Sequence, residues 1–208
     1  MIRYIVTGFI LLLASQAAGI ESELIPGDSG GLSGETELFW DDGEDNGFFF
    51  AGECGPFATT FTAPFDCKLI KYRLYWANVD PSQANNQPVD CYLYEDISGV
   101  PDTAAVFTVT GNSGTTADRE WLEIDVSGEN ILLSAGTVFH PGWDFGYVTP
   151  PFWGVYLDDN KAQGTCWTTA TTSGDWIEWS GYTHMVRVVV DDMLSLQSTT
   201  WGALKAAF

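Results

Sequence analysis

Short runs rich in Val, Ile, Thr and aromatic residues recur about every 8 to 15 residues between Leu38 and Val190, separated by clusters of Gly, Asp, Asn, Ser and Pro. No stretch inside this region keeps a 3.6-residue apolar period beyond two turns, so little helix is predicted. The strands are expected at 38–41, 47–51, 57–62, 68–76, 89–95, 105–110, 121–126, 137–143, 153–157, 166–171, 176–179 and 183–190. Such close spacing leaves no room for helical crossovers. It predicts an all-β, two-layer antiparallel β-sandwich of jelly-roll type rather than a parallel α/β sheet. In the last run, Val186, Val188 and Val190 share one face while Arg187 and Val189 share the other, which marks a central strand.

Before the strands, Arg3, the apolar run Ile5 to Leu13 and the small residues through Ala18 read as a secretory signal peptide, residues 1–18. The run is shorter than the roughly 20 residues a bilayer span needs, so no transmembrane segment is expected. No cysteine follows it until Cys54, so the new N-terminus offers no lipid acceptor. Residues 19–37 are Gly-, Ser- and acid-rich without apolar periodicity and read as a flexible lead-in, residues 38–192 as the sandwich. In the tail, 193–208, Trp201, Leu204, Lys205 and Phe208 fall on one face of a short C-terminal helix capped by Ser198 or Thr199.

The chain carries 8 Lys and Arg against 28 Asp and Glu, a net charge of −20. Its basic residues are scattered, which argues against nucleic acid and anionic membrane surfaces as partners. Four cysteines in an exported chain, without a C-x-x-C pair, favour two disulfides over zinc. Three pairings are possible. The short Pro- and Gly-punctuated interval favours Cys54 with Cys67, worth about 3 kcal/mol on the chain-entropy model, and leaves Cys91 with Cys166. In a reducing niche all four would be buried free thiols.

Gly27-Asp28-Ser29-Gly30-Gly31 matches the string around a trypsin-like nucleophile, but His140 and His184 both follow it and no barrel precedes it. No catalytic set is assigned. The dense oxygens of Asp41, Asp42 and Asp45 make the 41–47 turn a candidate for structural calcium, with Asp158-Asp159-Asn160 a weaker one, although neither has the order of an EF-hand loop. Trp143, Trp153, Trp167, Trp176 and Trp179 are the candidate ligand-binding aromatics; at most two or three of the nine tryptophans are expected on a binding surface while the others fill the core. Trp176 and Trp179 must face opposite ways in a regular strand. Glu120, Glu123, Asp144, Asp158 and Glu178 are carboxylates from which a glycosidase pair could be drawn.

Trp40-Asp41-Asp42-Gly43, the run Phe57 to Pro64, Cys67 to Leu69 with Tyr72 to Tyr75, Tyr92 to Asp96, and Met185 to Val190 occur in a recognisable order. Over about residues 38–192 the chain resembles secreted bacterial β-sandwich modules, jelly-roll-like, that open on a Y-D-D-G strand; Trp40 stands where the Tyr is usual. Ser198 to Lys205 is similar to an S-T-T-W-G-x-I-K peptide found at the C-termini of some such proteins. The resemblance implies a jelly-roll-like accessory or surface domain and carries no catalytic motif. The expected function is binding of an extracellular glycan or protein at the cell surface or in the matrix. An exported glycoside hydrolase and a surface-assembly subunit are the alternatives, and the oligomeric state is left open.

Overall fold

The structure, a computed structural model, describes residues 34–46, 49–50, 55–146, 152–159, 165–169, 174–179 and 181–192. The first strands are β1 (Glu35–Leu38), β2 (Phe49–Phe50), β3 (Phe57–Thr59), β4 (Phe61–Thr62) and β5 (Cys67–Asn78). A single helical turn, α1 (Pro81–Ala84), is started by Pro81 and capped by Asp80, which accepts from the Ser82 N–H at 3.0 Å. There follow β6 (Pro88–Ile97), β7 (Val100–Asn112), β8 (Glu120–Asp125), β9 (Ile131–Leu133) and β10 (Val138–Asp144). The last are β11 (Trp153–Asp158), β12 (Cys166–Thr169), β13 (Trp176–Trp179), β14 (Thr183–His184) and β15 (Val186–Asp192).

Among the described residues these form two antiparallel sheets packed face to face, the predicted sandwich. Sheet A has 8 strands along β1-β15-β5-β11-β14, with β8 and β9 on the other side of β5 and β2 on β11. Sheet B has 7 strands along β13-β12-β3-β10-β6-β7, with β4 on β10. Strands distant in sequence lie side by side, as jelly-roll winding requires: β1 pairs β15 and β3 pairs β12.

Several boundaries differ from expectation. The first strand begins at Glu35, inside the expected lead-in, because Glu35 to Leu38 pair with Asp191 to Val188. The expected 57–62 strand is interrupted at Thr60. One step earlier in the register, opposite Thr59, its partner β10 carries Pro141, which has no N–H to donate. β9 was not anticipated, since three residues show no readable alternation. The signal peptide, the Gly27 to Gly31 string and the C-terminal helix lie outside the described residues. Among those described, no helix is long and apolar enough to cross a membrane.

Between the sheets, β15 contributes Val186, Val188 and Val190, as its alternation predicted. β5 buries Cys67 and Leu69, then Tyr72, Leu74 and Trp76. The parity changes because Val189 pairs Lys71 while Val190 pairs Leu69, which makes Ile70 a bulge residue. Trp143 is fully buried at the centre, stacked on Phe57 at 4.4 Å and Phe145 at 5.2 Å, with the edge of His184 at 5.6 Å.

Disulfide bonding is corrected. Cys67, Cys91 and Cys166 are buried free thiols, and Cys54 lies outside the described residues. Cys91 on β6 and Cys166 on β12 are separated by β10 and β3. Three strand spacings amount to about 14 Å, more than twice the usual Cα separation of a disulfide. Burial pushes the Cys67 and Cys166 thiols up to about 11, and it raises Cys91 as well, so all three stay protonated and unreactive.

Candidate functional site

The expected calcium turn is the first candidate to fall away. Asp41 is buried against Arg187, whose Nε and Nη2 donate to its two carboxylate oxygens at 3.1 and 2.5 Å. Asp42 accepts from the Glu44 N–H at 2.9 Å, and Asp45 accepts from Arg119 Nη1 at 2.7 Å. The three carboxylates serve three different partners. Asp158 of the second candidate is buried in sheet A and accepts from the Asp42 N–H at 2.8 Å. Among the described residues no three His, Cys, Asp or Glu side chains gather as a metal ion would need.

The tryptophans divide by strand face. Trp143 and Trp153 belong to the core between the sheets, a correction to their place among the ligand-binding candidates. Trp167 and Trp176 lie on the opposite, outer face of sheet B, where Trp167 pairs Ala58 and Glu178, and Trp176 pairs Thr169. Trp179 pairs Cys166 and so points the other way from Trp176, as the odd spacing required.

The outer face of sheet B is built by register. One row across it runs Glu178, Trp167, Ala58, Gly142, Tyr92, Thr108. A second runs through Thr60, His140, Tyr94 and Ala105, and a third through Trp176, Thr169, Asp144, Asp90 and Thr110. In a flat sheet β13 and β7 would stand five spacings, about 24 Å, apart. Here they meet. Trp176 Nε1 donates to the Asp102 carbonyl of β7 at 2.9 Å, and the Trp176 ring meets Tyr94 edge-on at 5.0 Å. The sheet is therefore curled, with this face on its concave side.

Small side chains make room for the rings. An added Cβ at Gly142 would lie 2.6 Å from the Tyr94 ring and 2.7 Å from the Phe57 carbonyl oxygen, so only glycine lets Tyr94 lie flat against β10. Ala58 and Ala105 do the same beneath Trp167 and Tyr94. Tyr94 and Trp167 are nearly buried, whereas Tyr92 and Trp176 keep part of their surface in solvent. Tyr92 packs beside Tyr94 at 5.8 Å.

A polar chain fixes the plane of Trp167. Its Nε1–H donates to Thr60 Oγ1 at 2.9 Å, Thr60 Oγ1 lies 3.1 Å from His140 Nδ1, and His140 Nε2 lies 3.0 Å from Asp96. A neutral His140 protonated on Nε2 satisfies every link, with Nδ1 accepting from the threonine hydroxyl. Burial holds His140 below its usual range, against the opposing pull of Asp96, and so favours that neutral form. Hydroxyl, imidazole and carboxylate in series also describe an activated nucleophile. Here the hydroxyl oxygen takes the indole N–H and the imidazole is fully buried, so the chain acts as a brace for the ring.

Asp144 and Asp90 sit directly opposite each other on β10 and β6. Asp90 accepts from the Thr110 hydroxyl at 2.5 Å, and Asp144 accepts from the Gly146 N–H at 2.9 Å. Burial raises the Asp144 carboxyl, the Asp90 charge adds to this, and two backbone N–H bonds oppose it. Burial, then the charges of Asp90 and Asp144, push the Tyr92 hydroxyl up to about 12, so it stays protonated and able to donate.

Of the five carboxylates considered for glycosidase chemistry, only Asp144 and Glu178 share this face, and three strand spacings separate them. Glu123 is paired with Lys71 and Arg73 on sheet A, Asp158 is buried there, and Glu120 accepts from the Ala117 N–H. Sequence reasoning missed Tyr92, Tyr94 and Asp90. The signal was present: Asp90, Tyr92, Tyr94 and Asp96 alternate with Val89, Cys91 and Leu93, so one face of that strand is wholly polar and aromatic. No protein-family model and no curated protein matches this sequence.

Proposed function

We propose that this protein is a secreted β-sandwich that binds glycans through the concave outer face of sheet B, as a binding module of the cell surface or matrix. One observation carries the reading: partly exposed rings of Tyr92 and Trp176, backed by the braced Trp167, share a curved face with carboxylate and hydroxyl groups of Asp90, Asp144 and Thr108. Aromatic faces offer apolar contact to sugar C–H groups, and the flanking oxygens accept from sugar hydroxyls. The brace fixes Trp167 before binding, which lowers the ordering cost on association. Export is supported by the apolar run Ile5 to Leu13 with its small-residue exit, and the resemblance to secreted bacterial β-sandwich modules agrees with such a task.

A glycan array probed with the mature chain, with and without chelator, tests this. Binding to a subset of glycans is expected, unchanged by chelator, and lost at least about tenfold in Trp176→Ala and Tyr92→Ala chains that keep wild-type urea midpoints. Binding to no glycan, or full binding by both variants, would remove the reading; release of reducing ends would replace it with the hydrolase. Surface assembly is favoured by a different feature. β7 is the far strand of the sheet B path, 13 residues long, and Val106 on it is 55% exposed. Sedimentation that depends on concentration would speak for that second reading.

A further inference from the structure

We propose that the concave face of sheet B selects glycans bearing protonated amines, the amino sugars, over neutral and anionic ones; this rests on the glycan reading above. Among the described residues the cationic side chains keep to one layer while carboxylates occur on both. The lysines and arginines among the described residues are Lys68, Lys71 and Arg73 on β5, Arg119 next to β8, and Arg187 on β15, all with sheet A. Lys71, Arg73, Arg119 and Arg187 are committed there to acidic side chains. The strands of sheet B carry Asp90, Glu95, Asp96, Asp102, Asp144 and Glu178 and, among the described residues, no Lys or Arg. Overall acidity explains the excess of carboxylates but not this segregation.

Asp90 and Asp144 concentrate the effect. They face each other across β6 and β10 on the same side of the sheet, where like charges repel, and no described Lys or Arg pairs with either. Two residues along β6 lies Tyr92, about 7 Å away. A hexosamine ring stacked on Tyr92 has its amine within reach of the two carboxylates, and the electron-rich faces of Tyr92 and Trp176 attract the same cation. A uronate or sulfated sugar meets only repulsion on this face.

The test compares a glucosamine trimer with its N-acetylated counterpart by calorimetry, at physiological ionic strength and a pH at which the amines are protonated. An oligogalacturonate and an oligolysine of similar length serve as further probes. The free amine is expected to bind about tenfold tighter than the acetylated trimer, with no binding of the uronate. That difference should vanish in Asp90→Asn/Asp144→Asn, shrink in each single variant, and survive in Glu35→Gln/Glu129→Gln, which removes the same charge elsewhere. Equal affinity for the two trimers, or a preference that survives loss of both aspartates, overturns amine selection and leaves the glycan reading in place. Binding of no saccharide removes that reading itself. Oligolysine bound in place of the sugars, with the same dependence on Asp90 and Asp144, assigns the face to cationic peptides and overturns the amino-sugar proposal.

Discussion

Replacing Arg187 with methionine is expected to destabilise the protein by about 3–5 kcal/mol, because it leaves Asp41 charged, buried and unpaired. Asp41 is 3% exposed, and its two oxygens are gripped by the forked guanidinium, whose central carbon lies over the Phe39 ring at 4.6 Å and the Trp121 ring at 4.3 Å. Arg187 Nη1 also reaches Glu37 at 3.1 Å, which Arg73 holds from the other side. One side chain thus ties β1 and the turn after it to the central strand β15. Lysine cannot reproduce the fork or the stacking, so Arg187→Lys should lose most of the same stability. The check is the urea midpoint at constant m-value, and Arg187→Met/Asp41→Leu should recover much of the loss. A shift below about 1 kcal/mol in the single variant would show that the pair is not needed.

The second large effect is acid destabilisation through His184. This side chain is fully buried edge-on against the stacked rings of Phe57 and Trp143, and burial holds it down to about 3 from 6.5. Its folded value lies below its unfolded one, so the stability gained by keeping it neutral is complete above pH 6.5. It is lost as pH falls from there towards about 3, a loss on the order of 4 kcal/mol. His140 acts in the same direction. Asp144 works against them, since its raised folded value means that acidification relieves strain at that site. Unfolding free energies measured across this range should fall steeply in the wild type and much less in His184→Gln, whatever the variant's stability at neutral pH. Parallel pH profiles for the two chains would contradict the assignment.

What could be read in advance was local. Period-two alternation placed Val186, Val188 and Val190 in the core and set Trp176 and Trp179 on opposite faces, because strand geometry fixes both without reference to any partner. The parity switch in β5 was hidden, since a bulge at Ile70 is visible only against β15. Asp41 suggested a cation, and the cation proved to be an arginine 146 positions away, beyond the reach of any local pattern. The same holds for Cys91 and Cys166, whose separation depends on which strands intervene. The site was half legible. Trp167 and Trp176 were named, yet the concave face exists only because sheet B curls until β13 meets β7, and Asp144 finds Asp90 only through the β10 to β6 register.

On the proposed function, ligand meets the curled face of sheet B. Nuclear magnetic resonance mapping of residues 19–208, titrated with the best array ligand, tests it most directly. Shifts are predicted at Tyr92, Trp176, the Trp167 indole N–H and the His140 ring, with the Arg187 and Arg73 side chains of sheet A unmoved. Shifts confined to sheet A, or to the exposed edge of β7, would contradict it.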